Sequence, residues 1–148
     1  MCGIAGYINF DNIDINKVHK TLVHRGPDAQ DSYTNDNVTL IHNRLAIQDL
    51  STNASQPMCA NEYVIILNGE IYNHYELRET LTEYKFKSNS DTETLLYLFI
   101  KYGPDCLQKL DGMFAVAIYN KRTKEFFFAK DRAGKKPLYY FNKNNQFF

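Results

Sequence analysis

Short runs of apolar, β-branched and aromatic residues recur along the chain, and such runs are typical of β-strands. Several runs are apolar at nearly every position, which indicates strands that are covered on both faces of a sheet. A short apolar run is also compatible with a buried helix, so periodicity alone leaves that alternative open. The strands predicted on this basis are 4–8, 38–42, 63–67, 114–119, 126–129 and 138–141.

Helical patterns lie between these runs, and the clearest begins at Ser90. Ser90 and Glu93 have the spacing of a capping box ahead of an apolar stripe, and the Gly-Pro pair at 103–104 predicts the end of the helix. Two weaker helical patterns are predicted from apolar positions at helical spacing. These positions are Leu77, Leu81 and Tyr84 in one segment, and Val18 and Leu22 in the other.

The end of the chain has the pattern of a hairpin. Residues 142–145 are rich in Asn and Lys and predict a turn, and residues 146–148 resemble a returning strand that stops early. We therefore expect the natural domain to continue beyond Phe148. No repeat, low-complexity segment or linker divides the sequence, so residues 1–148 are predicted to form one domain, and an incomplete one.

Charge and hydropathy narrow the possible partners. Seventeen basic and seventeen acidic side chains cancel in this chain of 148 residues. The net charge is therefore zero, and no overall electrostatic attraction favours nucleic acid, an anionic membrane surface or a polyanion as partner. No apolar run reaches the ~18 residues of a membrane span, and the first residues lack the pattern of a signal peptide, which predicts a cytoplasmic protein.

The cysteines and histidines show no spacing that predicts a metal site. The three cysteines lack CxxC spacing and are odd in number, which also argues against a disulfide framework. The four histidines lack HxxxH spacing. Cys59 and Cys106 are interpreted as small packing residues.

Cys2 is the exception, because it follows the initiator methionine. Removal of Met1 would expose a thiol and a free α-amine on one residue. The amine titrates at about 7.7 to 8.0 and the thiol at about 8.5, so the amine can accept the thiol proton near neutral pH. Gly3 and Gly6 bracket the strand behind Cys2 and allow another backbone or a ligand to approach it closely. The alternative is an ordinary residue at a frayed terminus.

Ordered motifs run along nearly the whole chain. They are MCGIAGY at 1–7, HRGPD at 24–28, HNRLAIQDL at 42–50 followed by QP at 56–57, NGEIYN at 68–73, SDTE at 90–93, LDGMFAVAIY at 110–119 and DRAGKKPLYY at 131–140. Together they resemble the glutaminase domain of glutamine-hydrolysing asparagine synthetases, which are class II amidotransferases within the N-terminal-nucleophile hydrolases. One motif alone would be weak evidence, whereas the ordered set is specific.

The resemblance implies an α+β fold, namely a four-layer αββα sandwich of two antiparallel sheets flanked by helices. It also implies hydrolysis of L-glutamine to glutamate and ammonia through a thioester on Cys2. In the family, ammonia is used to amidate aspartate in a synthetase domain or chain, which is absent from these residues. ATP and Mg²⁺ are expected only in that missing domain, no cofactor is expected in this chain, and the complete enzyme is expected to form a homodimer.

The resemblance also assigns residues to the glutamine site. Arg44 matches the arginine that holds the α-carboxylate, a bidentate task that suits a guanidinium better than an ammonium. Asp91 matches the carboxylate that receives the α-ammonium, although an acid in the first turn of a helix could simply complement the helix dipole. The remaining pocket residues implied by the resemblance are Leu45, Ala46, Ile47, Gln48 and Glu70.

The side-chain amide of Asn68 and the backbone N–H of Gly69 match the oxyanion hole of the family. Donors preset in such a hole are worth roughly 3 to 4 kcal/mol each. The alternative is a hairpin turn, because Asn-Gly after an apolar strand is a strong turn signal. Arg25 and Asp28 of HRGPD receive no role, since Gly-Pro between them is adequately interpreted as a turn.

Two rival functions stay open at this point. Another class II amidotransferase, such as one that aminates a sugar phosphate or a phosphoribosyl substrate, would share this glutaminase half, although NGEIYN favours the asparagine-synthetase type. The second rival is a catalytically silent fragment that serves as an interaction module. A sheet that is cut before its last strands leaves unpaired edges and exposed apolar surface, which favours association.

Overall fold

The structure is a computed structural model that describes residues 2–148, and two antiparallel β-sheets form its centre. The strands are β1 (Gly3–Ile8), β2 (Ala29–Asn35), β3 (Val38–Arg44), β4 (Met58–Ala60), β5 (Tyr63–Ile71), β6 (Gly112–Asn120), β7 (Phe126–Lys130), β8 (Asn142–Lys143) and β9 (Gln146–Phe147). The α-helices are α1 (Ile15–Leu22), α2 (His74–Glu79) and α3 (Asp91–Tyr102), and the 3₁₀ helices are Thr52–Ala54 and Gly103–Lys109.

The two sheets face each other through alternate residues of their strands. The first sheet has the order β2-β3-β1-β9-β8, and the second has the order β4-β5-β6-β7. Val38 and Leu40 of β3 pack with Val64 and Ile66 of β5 between the sheets. This alternation places the remaining residues of each strand on the outer face of its sheet.

Helices cover both outer faces. Leu95 and Leu98 of α3 pack against Ile65 of β5 on the second sheet. On the first sheet, α1 is tied to β3 because Nδ1 of His19 lies 2.7 Å from Oδ1 of Asn43, and Nδ2 of Asn43 donates to the carbonyl O of His19 at 3.1 Å. The predicted α+β architecture of two antiparallel sheets between helices is confirmed.

The strand predictions are right for the apolar strands and wrong at three places, one of which is the three-residue edge strand β4, which was not predicted. Strand β2 was missed because its sequence, AQDSYTN, is mostly polar, which an edge strand tolerates. The predicted strand 138–141 is not a strand, since Tyr139 and Tyr140 are exposed and have no partner strand. The hairpin instead joins β8 to β9, and the backbones of Phe141 and Phe148 hydrogen-bond to each other beside it.

The helix predictions are right in number and wrong in detail. Helix α2 ends at Glu79, so Leu81 is buried in the core from the segment after the helix. Ser90 caps α3 by accepting the N–H of Thr92, but Glu93 does not complete the capping box. Its carboxylate accepts the N–H groups of residues 87 and 88 instead. None of the helices in residues 2–148 has both the length and the apolar character needed to cross a membrane.

Candidate active site

Cys2 lies directly before β1, at the end of the first sheet where β1 pairs with β3. The backbone N–H of Leu45 donates to Sγ of Cys2 at 3.5 Å, and Sγ lies 3.8 Å from the carbonyl O of Leu45. Burial raises the pKa of the Cys2 thiol, and the hydrogen bond from Leu45 opposes that rise. At neutral pH the sulfur is therefore mainly a thiol and needs a base to act as a nucleophile.

Cys2 lines a surface pocket between the end of β3, the middle of β5 and the start of α3. Asn68 is the one predicted site residue that does not line this pocket. The predicted site residues that the pocket brings together are Cys2, Arg44, Leu45, Ala46, Ile47, Gln48, Gly69, Glu70 and Asp91.

Asn68 and Gly69 lie inside β5, opposite Ala115 and Phe114 of β6, so the hairpin-turn interpretation of Asn-Gly is wrong. A Cβ atom on residue 69 would lie 2.2 Å from the carbonyl O of Met113. Residue 69 is therefore a glycine because β5 and β6 approach too closely here for any side chain.

The outer edge of β5 presents a row of backbone N–H groups to the pocket. The N–H of Leu67 donates to Oε1 of Gln56 at 2.6 Å, and the N–H of Ile71 donates to Oδ2 of Asp91 at 2.9 Å. Peptide groups alternate in direction along a strand, so the N–H of Gly69, between them, points the same way. Within residues 2–148 nothing accepts it. The pocket thus contains a backbone donor that is free to bind a ligand oxygen.

The N–H of Gly69 lies in the plane of the sheet, whereas the side chain of Asn68 stands roughly perpendicular to it and lines a cleft of about 1160 Å³ between the two sheets. Cys2 lines this cleft as well as the pocket, so it lies at the border between the two. Oδ1 of Asn68 is buried and has no hydrogen-bond partner in the described part of the chain. Cys2 therefore borders both the pocket that contains Gly69 and the cleft that contains the Asn68 side chain.

Arg44 ends β3, and its guanidinium holds the loop that follows. Nη1 donates to the carbonyl O of Ser51 at 2.9 Å and to Oγ of Ser55 at 3.4 Å, and Nη2 donates to the carbonyl O of Asp49. A guanidinium carries five N–H donors, and three acceptors leave some of them for a ligand. Arg44 thus shapes the pocket wall, a role that the sequence did not predict.

The loop 45–49 is tied down at each end. Oδ2 of Asp28 accepts the N–H of Ala46 at 2.8 Å, and Oδ2 of Asp49 accepts the N–H of Asn89 at 2.7 Å. The hydrogen bond from Asn89 is the largest cause of a lowered pKa at Asp49. Nε2 of Gln48 donates to Oε1 of Glu70 at 3.0 Å, which links the loop to β5 across the pocket.

Asp91 is the first residue of α3, and its carboxylate faces the edge of β5 as well as the pocket. Oδ2 accepts the N–H of Ile71, and Oδ1 lies 3.4 Å from Oγ1 of Thr92. Burial raises the pKa of Asp91, and the N–H groups of Ile71 and Thr92 oppose the rise. The carboxylate therefore both starts the helix and presents a partly compensated charge to the pocket.

Sequence reasoning missed Asp28, Asp49, Gln56 and Thr92, all of which hold the pocket together. All four lie in the motifs HRGPD, HNRLAIQDL, QP and SDTE, but the motifs do not show which groups they bind.

The other cysteines lie outside the pocket. Cys59 is exposed, and Cys106 is buried, which raises the pKa of its thiol to about 12. Among residues 2–148, no three His, Cys, Asp or Glu side chains come together in the way that a metal ion requires.

Comparisons with known proteins agree with the family resemblance of the sequence motifs. The profile of a family described as "Glutamine amidotransferase domain" matches residues 1–148. Asparagine synthetase [glutamine-hydrolyzing] 1 of Bacillus subtilis is 39% identical, with 99% of this chain and 25% of that protein covered. Asparagine synthetase B [glutamine-hydrolyzing] of Escherichia coli is 38% identical, with 94% of this chain and 26% of that protein covered. The chain thus spans a quarter to a third of the length of the relatives it matches.

Proposed function

The chain belongs to the glutamine amidotransferase domain family, and on that premise we propose that it hydrolyses L-glutamine with Cys2 as the nucleophile. The observation that carries the proposal is the unpartnered N–H of Gly69 in the pocket that Cys2 also lines. A free donor beside a thiol is what an acyl transfer requires, because negative charge develops on the carbonyl oxygen that the sulfur attacks.

Removal of Met1 supplies the base. The α-amine of Cys2 takes the proton from its own thiol, and the sulfur forms a bond to the side-chain amide carbon of glutamine. The carbonyl electron pair moves to the oxygen, which the N–H of Gly69 and the amide of Asn68 stabilise. The carbon–nitrogen bond then breaks, and the proton on the amine passes to the departing nitrogen, which leaves as ammonia. Water attacks the resulting thioester, releases glutamate and restores the thiol.

The two ends of the substrate are held by opposite charges. The α-ammonium of glutamine binds to Asp91, and the α-carboxylate binds to the donors of Arg44 that the loop carbonyls leave free. Gln48 and Glu70 are already hydrogen-bonded across the pocket, and they close it beside the substrate. Leu45, Ala46 and Ile47 line the wall along the aliphatic part of glutamine.

The acceptor of the ammonia is proposed from the relatives. Their names describe glutamine-hydrolysing asparagine synthetases, and this chain corresponds to about a quarter of their length. The ammonia formed at Cys2 passes to a synthetase domain or chain that activates aspartate with ATP and Mg²⁺. The cytoplasm is the proposed location of this reaction.

Intact mass spectrometry with a glutamine-mimicking diazoketone tests the proposal. The purified chain should lack the mass of Met1 and should gain one adduct, which excess L-glutamine suppresses. Cys2→Ala should gain none, while the matched control Cys59→Ala, which removes an exposed thiol, should react like the parent chain. A processed chain that gains no adduct, or one whose adduct forms equally in Cys2→Ala, contradicts the proposal.

A further inference from the structure

Gln56 connects the strand edge to the start of α3. It is 6% exposed, and its side-chain amide contacts two groups that come from different elements. Oε1 accepts the N–H of Leu67 on β5 at 2.6 Å, and Nε2 donates to Oγ1 of Thr92 on α3 at 3.0 Å. Both elements border the pocket of Cys2, so Gln56 links the two sides of this pocket through its side-chain amide.

Leu67, Gln56, Thr92 and Asp91 are linked by successive hydrogen bonds, and the backbone N–H of Leu67 fixes the donor and the acceptor in each of them. The N–H of Leu67 can only donate, so Gln56 must present its oxygen to β5 and its NH₂ group to Thr92. The hydroxyl oxygen of Thr92 then accepts from Gln56, which leaves its own proton free to point at Asp91. Oγ1 of Thr92 lies 3.4 Å from Oδ1 of Asp91.

Asp91 is thereby held at both oxygens. Oδ2 accepts the N–H of Ile71 at 2.9 Å, and Oδ1 faces the hydroxyl of Thr92. Asp91 is 8% exposed as a residue, so removal of a donor leaves a buried charge with an uncompensated lone pair. Asp91 also lines the pocket, so lone pairs that these two donors leave unused are available to a ligand.

We propose that Gln56 and Thr92 are positioning residues that aim the carboxylate of Asp91 at the substrate and so make the pocket selective for glutamine with a free α-ammonium. This inference rests on the proposed function, since it takes Asp91 as the ammonium-binding group. Gln56 and Thr92 also line the pocket, and in this proposal they act on the substrate through Asp91. A carboxylate that is held in one orientation loses little conformational freedom on binding, so it binds most tightly a cation that lies along its free lone pairs. The pocket therefore favours ligands that carry an α-ammonium.

The test compares two ligands that differ only in the ammonium. L-Glutamine and 4-carbamoylbutanoic acid share the amide and the carboxylate, but the second has no α-amino group. Isothermal titration calorimetry on the full chain carrying Cys2→Ala measures their dissociation constants without turnover. The ratio of the two constants reports the contribution of the ammonium alone.

The variants are Gln56→Met, Thr92→Val and Thr92→Ser, with Gln30→Met on the exposed part of β2 as a control. Thr92→Val has the shape of threonine and lacks only the hydroxyl, so it tests the inference even if Gln56→Met does not fold. We expect Gln56→Met and Thr92→Val to weaken glutamine binding about tenfold and to leave 4-carbamoylbutanoic acid unchanged. Thr92→Ser and Gln30→Met should keep the ratio of the parent chain.

The outcomes separate this inference from the proposed function. A double variant no weaker than either single one supports a single relay through both residues. If Gln56→Met and Thr92→Val weaken the binding of both ligands equally, or of neither, the positioning role is wrong. The proposed glutamine site is not contradicted by that result. If the Cys2→Ala chain with no other change binds glutamine no better than 4-carbamoylbutanoic acid, Asp91 does not bind the ammonium, and both the inference and that part of the proposed function fail.

Discussion

Cys2 and Leu45 contact each other across the ends of β1 and β3, with the N–H of Leu45 3.5 Å from Sγ and the carbonyl O of Leu45 3.8 Å from it. Leu45 is also the first residue of the loop that lines the pocket. The position of the sulfur and the shape of the pocket wall are therefore set by the same peptide segment. A change that loosens this loop should affect the nucleophile as well as the pocket.

Asn68→Ala should slow ammonia release from glutamine by roughly 10² to 10³-fold, because it removes one donor to the proposed oxyanion. Binding of glutamine to the Cys2→Ala chain should not change, since the oxyanion exists only after attack. A coupled ammonia assay measures the rate, and Asn142→Ala, at an exposed position in β8, serves as the control. Equal losses of rate and of binding would assign Asn68 to the substrate pocket instead.

Gly69→Ala should lower the free energy of unfolding by about 1 to 3 kcal/mol or more, as overpacking does in other cores. The added Cβ would meet the backbone of β6, with 2.2 Å to the carbonyl O of Met113 and 2.6 Å to Cα of Phe114, and neither can move like a side-chain tip. Urea denaturation measures the loss. An alanine variant as stable as the parent chain would mean that β5 and β6 are not this close.

His42 should make the protein less stable as the pH falls from about 6.5 to 4. Burial, and then the charge of Arg44, lower the pKa of His42 from 6.5 to about 4, so in this range the unfolded chain binds a proton that the folded chain does not. The free energy of unfolding should fall by about 3 kcal/mol from this group.

The contribution of His42 appears in the difference between the parent chain and His42→Gln, measured by urea denaturation at several pH values. That difference should shrink as the pH falls through the range, because carboxylate titrations are common to both chains. His24→Gln, at an exposed position, should show no such trend. A constant difference between the parent chain and His42→Gln would contradict the buried, neutral state of His42.

Asp28→Ala should speed hydrogen exchange at the backbone of Ala46, because that N–H loses its acceptor at 2.8 Å. The loop 45–49 should then sample open conformations, and glutamine binding should weaken several-fold. Exchange measured by NMR resolves the single amide, with Asp11→Ala at an exposed position as the control. Unchanged protection of Ala46 would show that Asp49 and Arg44 hold the loop without Asp28.

The sequence predicted the parts of the fold whose residues are apolar, because burial leaves a local signature. Strands β3, β5 and β6 each contain an apolar run, whereas β2 has the polar composition of an edge strand and left no such signature. Glu93 lies at the spacing of a capping box, but its carboxylate satisfies the loop before the helix. Local spacing cannot distinguish these two uses of one side chain.

The same limit applies to the candidate site. Cys2, Gly69 and Asp91 belong to motifs that resemble a known family, so their identity was available from the sequence. Gln56 and Thr92 were not predicted, because their contact joins residues 36 positions apart and depends on how β5 and α3 pack. The directions of the Asn68 side chain and of the Gly69 N–H likewise depend on the pairing of β5 with β6, which a turn at these two residues would not allow.

Trapping of the thioester tests the central claim most directly. The processed chain is mixed with L-glutamine, quenched in acid and analysed by intact mass and peptide mapping. The account predicts a mass gain of one glutamyl group on the peptide that begins with Cys2, removable by hydroxylamine and absent from Cys2→Ala. A processed, folded chain that releases ammonia without this species, or that carries it on Cys59 or Cys106, would contradict Cys2 as the nucleophile.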